Sequence, residues 1–94
     1  MCEVRLTKRF DKQFRKLDRH IQRMILDELE ILKITPDFGE PLKGALVDFR
    51  KLRVHDYRII YRLHSSNTIA LVCFVDHRSR VYEELDRLRR EEAI

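Results

Sequence analysis

A small α+β domain of order β-α-α-β-β-β-α, with two N-terminal helices packed on a small twisted antiparallel sheet, is predicted by three observations. Apolar residues recur at helical spacing before Pro36. Every Gly and Pro falls within residues 36–44, PDFGEPLKG, which divides the chain into two halves. Beyond that window the apolar residues alternate or form short runs, as strands do. The 94 residues form one domain, 1–94. A chain of that size buries roughly 60–65% of its unfolded surface.

Residues 3–6 are short and alternating, a first strand. Thr7 caps a helix in which Phe10, Phe14 and Leu17 recur, and Asp18 caps a second carrying Ile21, Ile25, Leu29 and Leu32. These stripes read as core. The charged sides of the two helices carry Lys8, Arg9, Lys12, Arg15, Lys16, Arg19 and Arg23, with few acids between them, which suits contact with RNA. Strands follow near 47–54, 57–64 and 68–76. The last, TIALVCFVD, is apolar on both faces and therefore belongs in the interior of the sheet with something packed over each side. A final helix over about 79–92 shows Val81, Leu85 and Leu88 to the core or to a partner.

Residues 49–63, FRKLRVHDYRIIYRL, carry the strongest functional signal. With His55 and Asp56 at the turn, Arg53 lies opposite Arg58 and Lys51 opposite Ile60. Alternation then puts Lys51, Arg53, Arg58 and Arg62 on one surface. Each directly opposed cation pair costs on the order of 3 kcal/mol at an effective dielectric of about 20, less once the side chains splay into water. The only acid inside the hairpin is Asp56, at its tip. The opposite set, Leu52, Val54, Tyr57, Ile59, Tyr61 and Leu63, has a core to join. A site for an anion with several negative oxygens explains the cationic face better than a solvated sheet surface does.

Charge is distributed in blocks. Residues 5–23 carry +6 and 41–80 carry +5, while 27–40 carry −4. Two basic zones on a chain of pI 9.3 suggest nucleic acid. Fourteen of the twenty cations are Arg, which favours bidentate phosphate contacts. The longest apolar run is far too short to span a bilayer, and no secretory segment opens the chain, so a cytoplasmic location is expected. Two cysteines make no disulfide framework, and four scattered histidines have no ligand spacing, so no protein-bound metal is expected.

GEPLKGAL, RKLRVHDYRIIYRL and VDHRSRVY, in this order and spacing, resemble the RelE/ParE superfamily of bacterial and archaeal toxins over nearly the whole chain. The resemblance implies the small α+β fold already read. RelE-like members cut mRNA in the ribosomal A site, whereas ParE-like members poison DNA gyrase. Attack of a ribose 2′-OH on its own phosphate needs a base, cations for the developing phosphorane charge and assistance to the leaving 5′ oxygen.

Carried over by position, the motif places Lys51 and Arg53 on the first hairpin strand, Arg58 on the second, Arg78 beyond the last strand and Tyr82 in the VY element. Lys51 is the candidate base, because crowding by arginines disfavours its ammonium and offers more free amine near neutral pH. Arg58 is the candidate for the transition-state charge, and Arg78 for the leaving oxygen or a second phosphate. Tyr82 is expected to stack on the base beside the cut. Phe49 stands where several family members have a second lysine. His77 is a candidate acid or base, since an imidazole titrates near ~6.5. Arg78 and Tyr82 beside Lys51 and Arg58 favour the ribonuclease branch over a gyrase poison or a non-catalytic binding module. The resemblance further implies a RelB-like antitoxin, with Val81, Leu85 and Leu88 as one contact face, the ribosome and mRNA as targets, and neither cofactor nor membrane.

Overall fold

The computed structural model describes residues 1–92. Strand β1 (Glu3–Leu6) leads into α1 (Lys8–Arg15) and α2 (Arg19–Ile34). There follow a two-residue strand β2 (Glu40–Pro41), a 3-10 turn at Gly44–Leu46, strands β3 (Phe49–Val54), β4 (Tyr57–His64) and β5 (Ile69–His77), and helix α3 (Val81–Glu92). The five strands form one sheet in the order β1-β5-β4-β3-β2. It is antiparallel except at one edge, where β1 runs parallel to β5. The sequence reading lacks β2 and begins the next strand two residues early.

Both N-terminal caps form. Thr7 accepts the Phe10 N–H at 3.1 Å, and Asp18 accepts the His20 N–H at 2.8 Å. Each N-terminal helix then buries its apolar stripe. Phe10, Ile21, Ile25, Leu29 and Leu32 pack on Leu52, Val54, Ile59, Tyr61, Val72 and Val75, with Phe14 and Leu17 at the margin. A second, smaller core lies on the other face of the sheet, where Val81 and Leu85 of α3 cover Phe49, Ile60 and Phe74, closed off by Leu46. The interior strand β5 is thus sandwiched, as its two-sided apolarity requires.

A bulge in β5 decides which way its end points. Tyr61 pairs with Val72 but Ile60 with Phe74, leaving Cys73 as the extra residue. The Thr7 hydroxyl donates to the Cys73 carbonyl at 2.6 Å, so one side chain both caps α1 and satisfies the bulge. Past Cys73 the alternation is inverted, and Asp76 rather than His77 pairs with Arg58.

Two features of this frame lead to measurable outcomes. Gly39 is buried where the chain crosses Tyr61. It donates its N–H to the Tyr61 hydroxyl at 2.9 Å, which in turn donates to the Pro36 carbonyl at 2.8 Å. A Cβ at this position would sit 2.7 Å from Tyr61 Cε1 and 2.8 Å from the Lys51 carbonyl oxygen. Gly39→Ala is therefore expected to destabilise the domain by about 1–3 kcal/mol in a denaturant melt, the usual cost of overpacking. An unchanged midpoint would show that the loop moves aside freely.

The second concerns the thiols. Burial pushes the Cys73 thiol up to about 11, against the opposing pull of Arg62 and Arg9. Cys2 is 5% exposed. Neither thiol is expected to react promptly with an aromatic disulfide reagent at pH 8, and both should react once the chain is unfolded. The stability that comes from keeping the Cys73 thiol neutral is fully present below the free thiol's value of 9.0 and is lost as pH rises towards about 11.

Candidate active site

The predicted hairpin register is the observed one. His55, at φ 55°, forms the turn with Asp56, Val54 pairs with Tyr57, Arg53 with Arg58, and Lys51 with Ile60. Side chains on the α3 side of the sheet then fall into rows. At the tip, Arg53, Arg58 and Asp76 lie across three neighbouring strands. The next row is Lys51, Ile60 and Phe74, the last two buried under α3. At the far end Phe49 pairs with Arg62, whose guanidinium lies over its ring at 4.9 Å and 3.9 Å from Asp48.

This arrangement brings together four of the residues singled out from the sequence, Lys51, Arg53, Arg58 and Tyr82. Arg58 is half-buried, and its guanidinium donates to the carbonyls of His55 at 3.1 Å and Tyr57 at 2.9 Å, which fixes it against the turn. Lys51 sits between two hollows. One, of about 210 Å³, is lined by Arg53, Arg58, Phe38 and Glu28. The other, of about 390 Å³, is lined by Tyr82, Leu42, Leu46 and Leu85. Tyr82 is 61% exposed, while Val81 beside it takes the core position, so the tyrosine ring is available to a ligand.

Other predicted residues stand elsewhere. His77 pairs with Tyr57 and meets its ring edge-on at 5.6 Å, on the side of the sheet facing α1 and α2 rather than the Lys51 side. Its Nδ1 accepts the Ser79 N–H at 3.1 Å, which puts the proton of the neutral ring on Nε2. Arg78 is at the sheet end, its N–H on the Asp56 carbonyl at 2.7 Å and its Nε 3.8 Å from the Asp56 carboxylate. Arg62 is separated from the tip row by Ile60 and Phe74. Arg9 is bound within the protein, over the Phe74 ring at 4.7 Å and ion-paired with Glu84. Arg15 pairs with Asp11 at 3.0 Å. Lys8, Lys12, Lys16, Arg19 and Arg23 are exposed and form no ion pair among the described residues. They belong to the helical layer opposite α3, so the two basic zones form separate surfaces. Val81 and Leu85 are turned onto this chain's own sheet, with Leu88 at the edge of the same core.

The sequence reading missed three side chains. Glu40, brought alongside Lys51 by β2, holds its carboxylate 3.8 Å from the ammonium. The hairpin is thus less short of acid than its own sequence implies. Asp76 accepts the Arg80 Nε at 3.0 Å and the His77 N–H at 2.8 Å. Nothing in GEP announces the contact with Lys51.

The five-stranded sheet with three helices matches solved structures of RelE-like toxins. The isolated RelE toxin of E. coli superimposes with a TM-score of 0.74 at 23% identity, covering 93% of this chain and 97% of that one. The RelBE2 toxin-antitoxin complex of Mycobacterium tuberculosis gives 0.71 at 27% identity, covering 81% and 96%. A YoeB/ParE toxin from Agrobacterium tumefaciens gives 0.70 at 23%, covering 80% and 96%. No curated protein matches the sequence. The family of the ParE toxin of type II toxin-antitoxin system, parDE, matches residues 4–82, and the chain belongs to that family, as a toxin of the RelE/ParE superfamily.

Proposed function

We propose that this toxin is a ribosome-dependent endoribonuclease that cuts mRNA in the A site by attack of the 2′-OH on the adjacent phosphate. The observation that carries the reading is the position of Lys51, which shares one hollow with Arg53 and Arg58 and the other with the exposed Tyr82. Tyr82 stacks on the base beside the cut and Lys51 takes the 2′-OH proton. O2′ bonds to phosphorus while Arg58 and Arg53 bind the phosphorane oxygens. The 5′ oxygen leaves towards Arg78, whose guanidinium offsets its negative charge, and takes its proton from water, giving a 2′,3′-cyclic phosphate and a 5′-hydroxyl end. His77 supports this constellation through Tyr57 rather than from within it.

The cations Lys8, Lys12, Lys16, Arg19 and Arg23, on the opposite layer, dock ribosomal RNA while the tip row engages the message. A RelB-like antitoxin is the expected partner. It reaches Val81 and Leu85 in full only if α3 lifts from the sheet, whereas Leu88 is at the edge of that core. The match to the ParE family favours a second reading, inhibition of DNA gyrase, in which the basic face only docks.

Primer extension on a defined mRNA in a reconstituted translation reaction, with and without a stalled ribosome, tests the choice. Cuts inside A-site codons that require the ribosome support the ribonuclease. Intact message together with an SOS response on expression in cells supports the gyrase reading.

A further inference from the structure

We infer that Asp76 is a positioning residue that holds Arg80 beside Arg58, making the tip of the sheet a second phosphodiester subsite for the RNA strand. The inference rests on the RNA-directed reading of this face and adds to it a site that the motif does not supply.

An acid in the middle of a phosphate-binding surface needs a reason. Asp76 is directly opposite Arg58, on the same face as Arg53, and its side chain is 17% exposed. Its Oδ1 accepts from two groups at once, the His77 N–H and the Arg80 Nε. Using Nε in this way leaves the terminal nitrogens of Arg80 free to turn outward, and the Arg80 side chain is 63% exposed. The carboxylate thus fixes one edge of the guanidinium while its other donors address solvent. A planar fork restrained on one edge suits two oxygens of a phosphodiester. The restraint also removes rotamer freedom that RNA binding would otherwise have to take from a flexible arginine. The bulge at Cys73 makes this possible, because without the extra residue Asp76 would point to the Tyr57 side.

The proposal makes a prediction opposite to that of simple charge. Deleting Asp76 removes a negative charge from a phosphate-binding face, which by Coulomb's law alone tightens RNA binding. If Asp76 braces Arg80, its loss weakens binding instead.

The probe is a fluorescein-labelled 2′-O-methyl RNA hexanucleotide, titrated by anisotropy at several salt concentrations against the full chain and its variants. Arg80→Ala is expected to lower the salt slope by about 1, as for loss of one phosphate contact. Asp76→Ala is expected to weaken binding roughly two- to tenfold. Asp76→Asn, which keeps an acceptor and guards against a folding defect, should fall between Asp76→Ala and wild type. In the Arg80→Ala background, where the carboxylate has no guanidinium to brace, Asp76→Ala should no longer weaken binding. Binding by Asp76→Ala as tight as wild type or tighter, an unchanged slope in Arg80→Ala, or no binding by wild type overturns the subsite. Failure of the ribonuclease reading has a different signature, coupling between Asp76 and Arg80 on the oligonucleotide without A-site cuts in the translation reaction.

Discussion

Alanine at Arg58 is expected to slow A-site cleavage about 10²- to 10³-fold, the range seen when one preorganised donor to a developing anion is lost. The magnitude rests on how the side chain is held. Two backbone carbonyls at the turn fix the guanidinium before any substrate arrives, so its charge need not be reoriented during the reaction. Stability should change little. The lost contacts to the turn are offset by relief of the like-charge pair with Arg53, its direct cross-strand neighbour. Single-turnover cleavage on stalled ribosomes, with a thermal melt of the same preparation, separates the two quantities. A variant that cuts at the wild-type rate would remove Arg58 from the transition state. A variant that melts much earlier would show that the guanidinium is a structural tie of the turn.

The hairpin around Arg58 was legible in the sequence because its information is local. Strict alternation on both strands and a turn residue able to take a positive φ leave one register that buries Leu52, Val54 and Ile59 together. The two N-terminal helices were legible for a similar reason, each having a capping residue followed by an apolar stripe. What escaped depends on distant parts of the chain. Strand β2 has two residues, one of them proline, and is in place because Gly39 and Pro36 bond the Tyr61 hydroxyl. The parallel pairing of β1 arises only once α1 and α2 have carried the chain to the far edge of the sheet and the strands from β2 to β5 have brought it back beside β1.

The site was legible in composition but not in facing. The cations and Tyr82 were readable as a group, and the hairpin register puts Lys51, Arg53, Arg58 and Arg62 on one face of the sheet as the alternation implies. His77 and Asp76 are adjacent, and strict alternation along β5 from Ala70 gives the α3 side of the sheet to His77. The bulge at Cys73 reverses this, and no residue near it marks the irregularity as a glycine would. One unpaired residue therefore decides whether an imidazole or a carboxylate accompanies Arg58. The charge balance escaped for the same reason, since Glu40 and Asp76 reach the hairpin from other strands.

Phe74→Ala is expected to cost about 3–5 kcal/mol, a large share of the 5–15 kcal/mol that holds a typical domain together. Phe74 is 1% exposed and shares with Phe49 the place of largest side chain in the smaller core, where it supports Val81 and Leu85. Arg9 stacks over the same ring and pairs with Glu84 of α3, so one substitution weakens both the apolar and the charged attachment of that helix. The cores on the two faces share the sheet but differ in size, and the smaller one should fail first. Limited trypsin digestion is expected to cut the variant rapidly at Arg87 while the α1 and α2 layer stays protected. A denaturant melt gives the energy. Since Tyr82 is on the first turn of α3, the same variant should lose its hold on the stacked base with every tip cation still in place. Continued protection of Arg87 together with an unchanged melt would mean that Leu46, Phe49 and Ile60 suffice to seat α3, and that β5 gains little from its second apolar face.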